Sequence, residues 1–258
     1  MKKEAARIAP GTLFEGMTSV SAVIRAAEEG LSDRRILRLL VAEEKKAARA
    51  KDLGWLRAMS EKHGFPVEFV PEAELDAVTV GASHGGVAAE CSVRTIPSLT
   101  AASPSAEGFW VMLEGIEDPY NFGYALRSLY ACGADGVVLS PRNWMSAAGV
   151  VCRSSAGASE LLPVFESEPS DAAAFFQERR YRILAAGIRD SVSSFECDMR
   201  KPLFLIVGGE KRGISASLLA AADAIVRIDY GRAFRGSLSA ASAAAVLGYE
   251  VLRQNREE

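Results

Sequence analysis

Histidine and cysteine are scarce in this sequence, with two and four residues among 258. The histidines, His63 and His84, and the cysteines, Cys91, Cys132, Cys152 and Cys197, are too widely spaced to form a metal clip. No metal site is therefore expected, and the thiols read as buried and reduced. No stretch approaches the roughly 20 consecutive apolar residues of a membrane helix, and Met1-Lys2-Lys3-Glu4 opens no apolar leader. A cytoplasmic protein with no membrane partner is the expectation. A strong basic excess is missing too. The net charge is −3, and the surplus of acid falls within residues 101–258. Any affinity for nucleic acid must then come from local clusters rather than from the sum. What the chain does have is 49% hydrophobic and 24% charged residues, the balance of a packed globular protein.

The first 95 residues alternate between strand-like and helix-like patterns. Residues 1–17 read as an irregular arm, and Ser19 as the N-cap of a short helix reaching Glu29 and ended by Gly30. Strands are expected at 36–42, 67–70 and 87–93. A helix over 53–63 is closed by Gly64, and Glu72–Asp76 makes a helical turn. This is a small α/β unit. Residues 101–108 contain only small, polar and turn-forming side chains, and the domain boundary is expected there. The pattern predicts domains at 1–100 and 109–258. In the second, strands at 109–113, 136–139, 181–186, 203–207 and 224–228 alternate with helices at 122–132, 145–151, 171–179, 216–222 and 240–252. Residues 161–165 read as extended, with Pro163 confining them to an edge or an end. Such alternation predicts a mostly parallel sheet covered on both faces.

Three stretches could carry chemistry. Gly208-Gly209-Glu210-Lys211-Arg212-Gly213 follows an apolar strand, and its three glycines let the backbone turn tightly and approach a ligand. It is neither a Walker A loop nor a dinucleotide fingerprint, so taken alone it is also compatible with an ordinary strand-to-helix turn. Asn121 and Arg127 sit six residues apart, about 600° along an ideal helix. They converge only if Asn121 lies at or before the N-cap; otherwise Asn121 caps and Arg127 is solvated. Ser237-Leu238-Ser239 leads into a helix of small residues, where serine caps or a close-packed interface are equally served. Arg142, Arg153, Lys211, Arg212, Arg232 and Arg235 fall on expected loops, with Tyr230 and Phe234 interleaved among the last of them. That mixture suits phosphate contacts and base stacking, or simply a solvated surface.

Taken in order, these stretches resemble the SpoU/TrmH-type RNA 2′-O-methyltransferases of the SPOUT superfamily. The first motif corresponds to Glu117–Arg127, with its Asn-x-Gly-x-x-x-Arg core. The second corresponds to Val207–Ile214 and the third to Ile228–Ala241. The resemblance covers residues 109–256. The first 95 residues are similar to the L30-like RNA substrate-binding domain of many members, with His84-Gly85-Gly86-Val87-Ala88-Ala89 as its closing motif. The resemblance implies an α/β fold whose parallel sheet ends in a deep trefoil knot, preceded by the small L30-like domain. It implies S-adenosylmethionine as cofactor, held by Gly208, Gly209, Gly213, Ile228 and Leu238, with the strand end Leu184, Ala185 and Gly187 as the opposite wall. It further implies a homodimer, with the 240–252 helix contributing to the interface.

By the same resemblance Arg127 is the catalytic arginine, Asn121 orients it, Glu210 holds the loop or Arg127, and Ser237 and Ser239 complete the site. The family's usual Ser-Leu-Asn is Ser237-Leu238-Ser239 here, and its usual proline is Asp229. The expected activity is methylation of a ribose 2′-hydroxyl in RNA, ribosomal RNA before transfer RNA. A non-catalytic RNA-binding or ribosome-assembly relative is the alternative.

Overall fold

In the computed structural model, which describes residues 11–80, 84–141 and 147–256, the chain divides into two compact units. Residues 11–95 join with 147–161 in the first, and residues 96–141 with 162–256 in the second. The elements in chain order are β1 (Leu13–Glu15), α1 (Gly16–Glu28), β2 (Ile36–Ala42), α2 (Ala50–His63), β3 (Val67–Val70), α3 (Glu72–Val78) and β4 (Val87–Cys91). There follow β5 (Phe109–Glu114), α4 (Pro119–Ala131), β6 (Gly136–Leu139), α5 (Ala148–Ser154), α6 (Ala158–Leu161), β7 (Val164–Glu166) and α7 (Pro169–Glu178). The chain ends with β8 (Arg182–Ala186), β9 (Val192–Ser193), β10 (Leu203–Gly208), α8 (Ala216–Ala221), β11 (Ala224–Arg227) and α9 (Ala240–Gln254).

The first unit is a four-stranded sheet in the order β1-β4-β2-β3, with β4 antiparallel to both neighbours and β3 parallel to β2. The expected irregular arm is corrected here, since Leu13–Glu15 pairs with Ala88–Glu90. Phe14, fully buried, anchors that edge strand to the core. The chain then turns straight into α1 through Gly16, whose φ of +81° is open to glycine at no steric cost. The helix therefore starts before Ser19, which is buried inside it instead of capping it.

The compact units divide the chain differently from the single boundary expected at 101–108. The second unit begins at residue 96, and Tyr181 donates its hydroxyl proton to the Ser105 carbonyl, so the expected linker belongs to that unit. Residues 147–161 belong to the first unit because α5 and α6 lie against α1 and β1, and Cys152 is buried in the core formed by Phe14, Val20 and Leu56. Met145, expected to start that helix, lies outside the described residues. Gly149 passes so close to the Leu13 carbonyl that any Cβ would collide with it.

An ion pair between Arg34 Nε and Glu160 Oε2 (3.0 Å) holds this second segment in place, with each side chain only 3% exposed. Arg34 also donates to the Ser92 carbonyl and lies over the Phe14 ring, and Arg94 donates to the carbonyls of Ser159 and Leu31. Of the four cysteines, three are buried and Cys132 is half-buried, and all four are free thiols. Burial pushes the Cys91 thiol up to about 12 and raises Cys152 as well.

All strands of the second unit's seven-stranded sheet run parallel, in the order β7-β6-β5-β10-β8-β11-β9. Both alternating faces of β5 and β10 are buried, which explains their uninterrupted apolar sequence. On one face Phe176 of α7 and Leu218 of α8 pack on Trp110, Met112, Phe204 and Ile206, with Phe176 stacked on Phe204 at 4.0 Å. α9 packs along α4, where Gly248 allows Leu129 and Cys132 close approach. β7 follows Pro163 at the sheet edge, as the missing N–H requires. β9, two residues long, carries no periodicity that a sequence could reveal.

Replacing Glu160 by alanine leaves Arg34 buried without its counter-charge. Urea unfolding of Glu160→Ala should show a loss of about 3–5 kcal/mol. The double variant Arg34→Met/Glu160→Leu should lose far less, and equal losses in both would remove the pair from its anchoring role.

Candidate active site at the carboxyl edge of the parallel sheet

Strands β5 and β10 are neighbours, so the loops that leave their carboxyl ends start side by side. The loop after β10 is held against β5 by its backbone. Gly209 N donates to the Glu114 carbonyl (2.6 Å), and Gly213 N returns to the Gly209 carbonyl (3.0 Å). A Cβ on Gly209 would overlap the Gly115 carbonyl, and one on Gly208 would lie 2.5 Å from the Gly213 carbonyl carbon. The glycines are thus required by close approach of backbone to backbone. The Glu114 side chain accepts from Ser215 N (2.8 Å), fixing where the loop enters α8.

Glu210, in the middle of that loop, joins the other motifs. Its Oε1 accepts from Asn121 Nδ2 at 3.1 Å and from Ala240 N, the first residue of α9, at 3.0 Å. A carboxylate suits both roles, since it accepts more than one N–H and favours the positive end of a helix. Lys211 is engaged by Glu117 (2.7 Å), a second tie to the start of α4.

Behind these loops lies a cavity of about 600 Å³. Its floor is apolar, with Ile214, Leu219, Ile225, Val226 and Leu247. Gly187, Gly208, Gly209 and Gly213 supply backbone walls, and Arg189, Glu210, Arg212, Ser237 and Leu238 complete the lining. Tyr230 closes one side, its hydroxyl accepting from Leu238 N (3.2 Å). Next to it, Asp229 accepts from the Ser193 hydroxyl and from Arg227 Nε (2.8 Å), and these two partners hold its carboxyl below the usual range. A cavity of this size with a few charged groups at its rim fits a nucleoside-sized ligand that is flat and apolar at one end and ionic at the other. No cluster of three or more His, Cys, Asp or Glu side chains that could hold a metal ion occurs among the described residues.

The structure gathers most, though not all, of the residues expected from sequence. Gly187, Gly208, Gly209, Gly213, Ile228, Leu238, Glu210, Arg212 and Ser237 share the one cavity. Leu184 and Ala185 are corrected, because both are wholly buried between the flanking strands and the wall is built by Ala186 to Arg189 at the strand's carboxyl end. Ser239 is corrected from a site group to the N-cap of α9, its hydroxyl accepting from Ser242 N (3.2 Å). Asn121 and Arg127 are not brought together. Asp118 caps α4 and Pro119 starts it, so Asn121 lies inside the helix and turns to Glu210, whereas Arg127 is exposed outside the cavity. Glu210 accordingly serves Asn121 and Ala240 and not Arg127.

Arg153 lies in the first unit, where it donates to Glu15 (2.5 Å) and the Val80 carbonyl; Arg232 and Arg235 are exposed on the 229–236 loop. Arg142 lies outside the described residues. Sequence reasoning missed Arg189, whose one signal is its place directly after a strand at the sheet's carboxyl edge.

Two family models match the chain. The SpoU rRNA Methylase family matches residues 108–249, and the RNA 2′-O ribose methyltransferase substrate binding family matches residues 13–96. The chain is similar to the human rRNA methyltransferase 1, mitochondrial, at 32% identity over 95% of this chain and 73% of the relative. It is 28% identical to YacO of Bacillus subtilis (strain 168), a protein named for the TrmH family of tRNA/rRNA methyltransferases, over 86% of this chain and 90% of that one. A crystal structure of an RNA 2′-O ribose methyltransferase superposes with a TM-score of 0.76 at 25% identity, covering 94% of this chain and 88% of the other. The fold is shared with an AdoMet-bound rRNA methyltransferase from Sinorhizobium meliloti, with a TM-score of 0.75 at 23% identity over 95% and 88% of the two chains.

A methyl group added at residue 209 should force the β10 loop away from β5. Thermal unfolding of Gly209→Ala is expected to show a loss of about 1–3 kcal/mol, with faster amide exchange at residue 209. Unchanged exchange there would mean that the loop is not held by this contact.

Proposed function

The chain belongs to the SpoU rRNA methylase family, and on that footing we propose that it transfers the methyl group of S-adenosylmethionine to a ribose 2′-hydroxyl of ribosomal RNA. The observation that carries this reading is the meeting of three distant motifs on Glu210 beside a nucleoside-sized cavity. The ribose target is supported by the match of residues 13–96 to a substrate-binding family named for 2′-O ribose methyltransferases. Ribosomal RNA is favoured by the family name matched over residues 108–249.

The glycine walls and apolar floor fit an adenosyl group, and Glu210, Arg189 and Arg212 stand at the rim where the charged amino-acid end would lie. When bound, S-adenosylmethionine supplies an electrophilic methyl group, so the protein's task is alignment and removal of one proton. Gly208, Gly209 and Leu238 bring main-chain groups to the cavity, and Ser237 adds a hydroxyl. Asn121 and Glu210 fix the start of α4, which carries Arg127. The role of Arg127 is to bind the phosphate next to the target ribose, which fixes the 2′-oxygen for in-line attack, and the hydroxyl proton passes to water.

The same reading includes a homodimer. Arg127 and Tyr124 share the exposed side of α4, and Val246 and Tyr249 are exposed on α9 beside a groove of about 460 Å³ that Phe195 also lines. A second copy would cover these side chains and bring Arg127 toward a cavity that it does not reach within one chain. A trefoil knot belongs to the reading as well. Its support is the insertion of β10 between β5 and β8, both earlier in the chain, followed by the return of α9 onto α4.

The central test is ribose-methylation mapping of RNA from cells with and without the protein; one ribosomal position should lose its mark. In a tritium-transfer assay, Arg127→Ala should lower kcat/KM by about 10²–10³-fold. Its affinity for S-adenosylhomocysteine by calorimetry should stay within about twofold, because Arg127 does not line the cavity. Full activity in that variant would take Arg127 out of the reaction.

A further inference from the structure

The loop from Asp229 to Gly236 is exposed, yet it is braced at several points. Asp229 ties its start to Ser193 of β9 and Arg227 of β11, and Tyr230 ties that start to Leu238 at its end. The Phe234 ring lies 5.8 Å from that of Tyr230, with the planes inclined by 59°. It also rests on Gly236, where a Cβ would meet its Cζ at 2.5 Å. Phe234 is nonetheless 60% exposed. Arg232 and Arg235 flank it in sequence, both exposed, and neither forms an ion pair among the described residues. By contrast Lys211 and Arg227 on the neighbouring segments are each matched by a carboxylate.

A fixed aromatic face between two unmatched guanidiniums, beside the cavity that Tyr230 lines, has the chemistry of a single-stranded RNA contact. Every base offers a face to an aromatic ring, and each phosphate offers an anion to an arginine. Paired RNA does not present its base faces, since its bases are stacked inside the duplex. We propose that Phe234 stacks on an unpaired base beside the target nucleotide while Arg232 and Arg235 hold the adjoining phosphates, so that the enzyme selects unpaired RNA. The inference rests on RNA being the substrate.

The test uses the full chain and a single-stranded oligoribonucleotide carrying 2-aminopurine, free or annealed to its complement. Wild type and Phe234→Trp should bind the free strand and quench its fluorescence. Phe234→Ala should lose the quenching and bind about tenfold or more weakly, with affinity for S-adenosylhomocysteine unchanged and with little change in binding of the duplex. Arg232→Ala/Arg235→Ala should reduce the slope of log affinity against log salt by about 1.4, about 0.7 for each phosphate on a single strand. Unchanged quenching and affinity in Phe234→Ala would overturn the proposal. So would a change in sedimentation with RNA affinity intact, which would assign the ring to a contact between copies. Methyl transfer to cellular RNA by the wild type reports separately on the substrate reading: its absence together with intact quenching would remove the reaction and keep the loop.

Discussion

Oε1 of Glu210 accepts from the side chain of Asn121 and from the main chain of Ala240, so the start of α4, the loop after β10 and the start of α9 meet at one atom. These residues are far apart in sequence, and the parallel sheet makes the meeting possible. It sets β5 beside β10, so that the loops leaving both strands emerge at the same edge. The small-residue character of the loop follows from the same constraint. Gly208 and Gly209 pass so near the backbone of residues 115 and 213 that a side chain on either would push the loop outward. The cavity wall, the glycines and the acid are one structural solution.

The first unit meets a different requirement. A four-stranded sheet with a short edge strand covers little core by itself, and the chain completes it with α5 and α6, supplied from the middle of the sequence. Arg34, Arg94 and Glu160 lie buried where these segments meet. Buried charges of this kind are costly unless each finds a partner, so they favour this particular arrangement over looser ones more than they add to stability.

Much of the fold was legible because its signals are local. The uninterrupted apolar runs at Phe109–Leu113 and Leu203–Val207 become β5 and β10, buried on both faces, and Pro163 limits its strand to the edge. Gly64 closes α2 in a left-handed conformation, as its position suggested. Other signals were misleading. Ser19 has the chemistry of a cap but lies inside a helix that Gly16 starts early, and Ser239, assigned to the site, is the residue that caps α9. Leu184 and Ala185 belong to a central strand that buries them, so the cavity wall begins only where the strand ends.

The amino-acid order by itself determined the secondary-structure alternation, the parallel sheet and the three motifs, because each depends on periodicity, on glycine's freedom or on neighbours in the chain. Only the tertiary structure decided that Asn121 turns to Glu210 and away from Arg127, and that Arg189 joins the cavity. It also decided that residues 147–161 complete the first unit. Those outcomes depend on which backbone segments become neighbours in space. Strand pairing and the matching of buried charges settle that across separations of up to a hundred residues or more, and no local pattern encodes it.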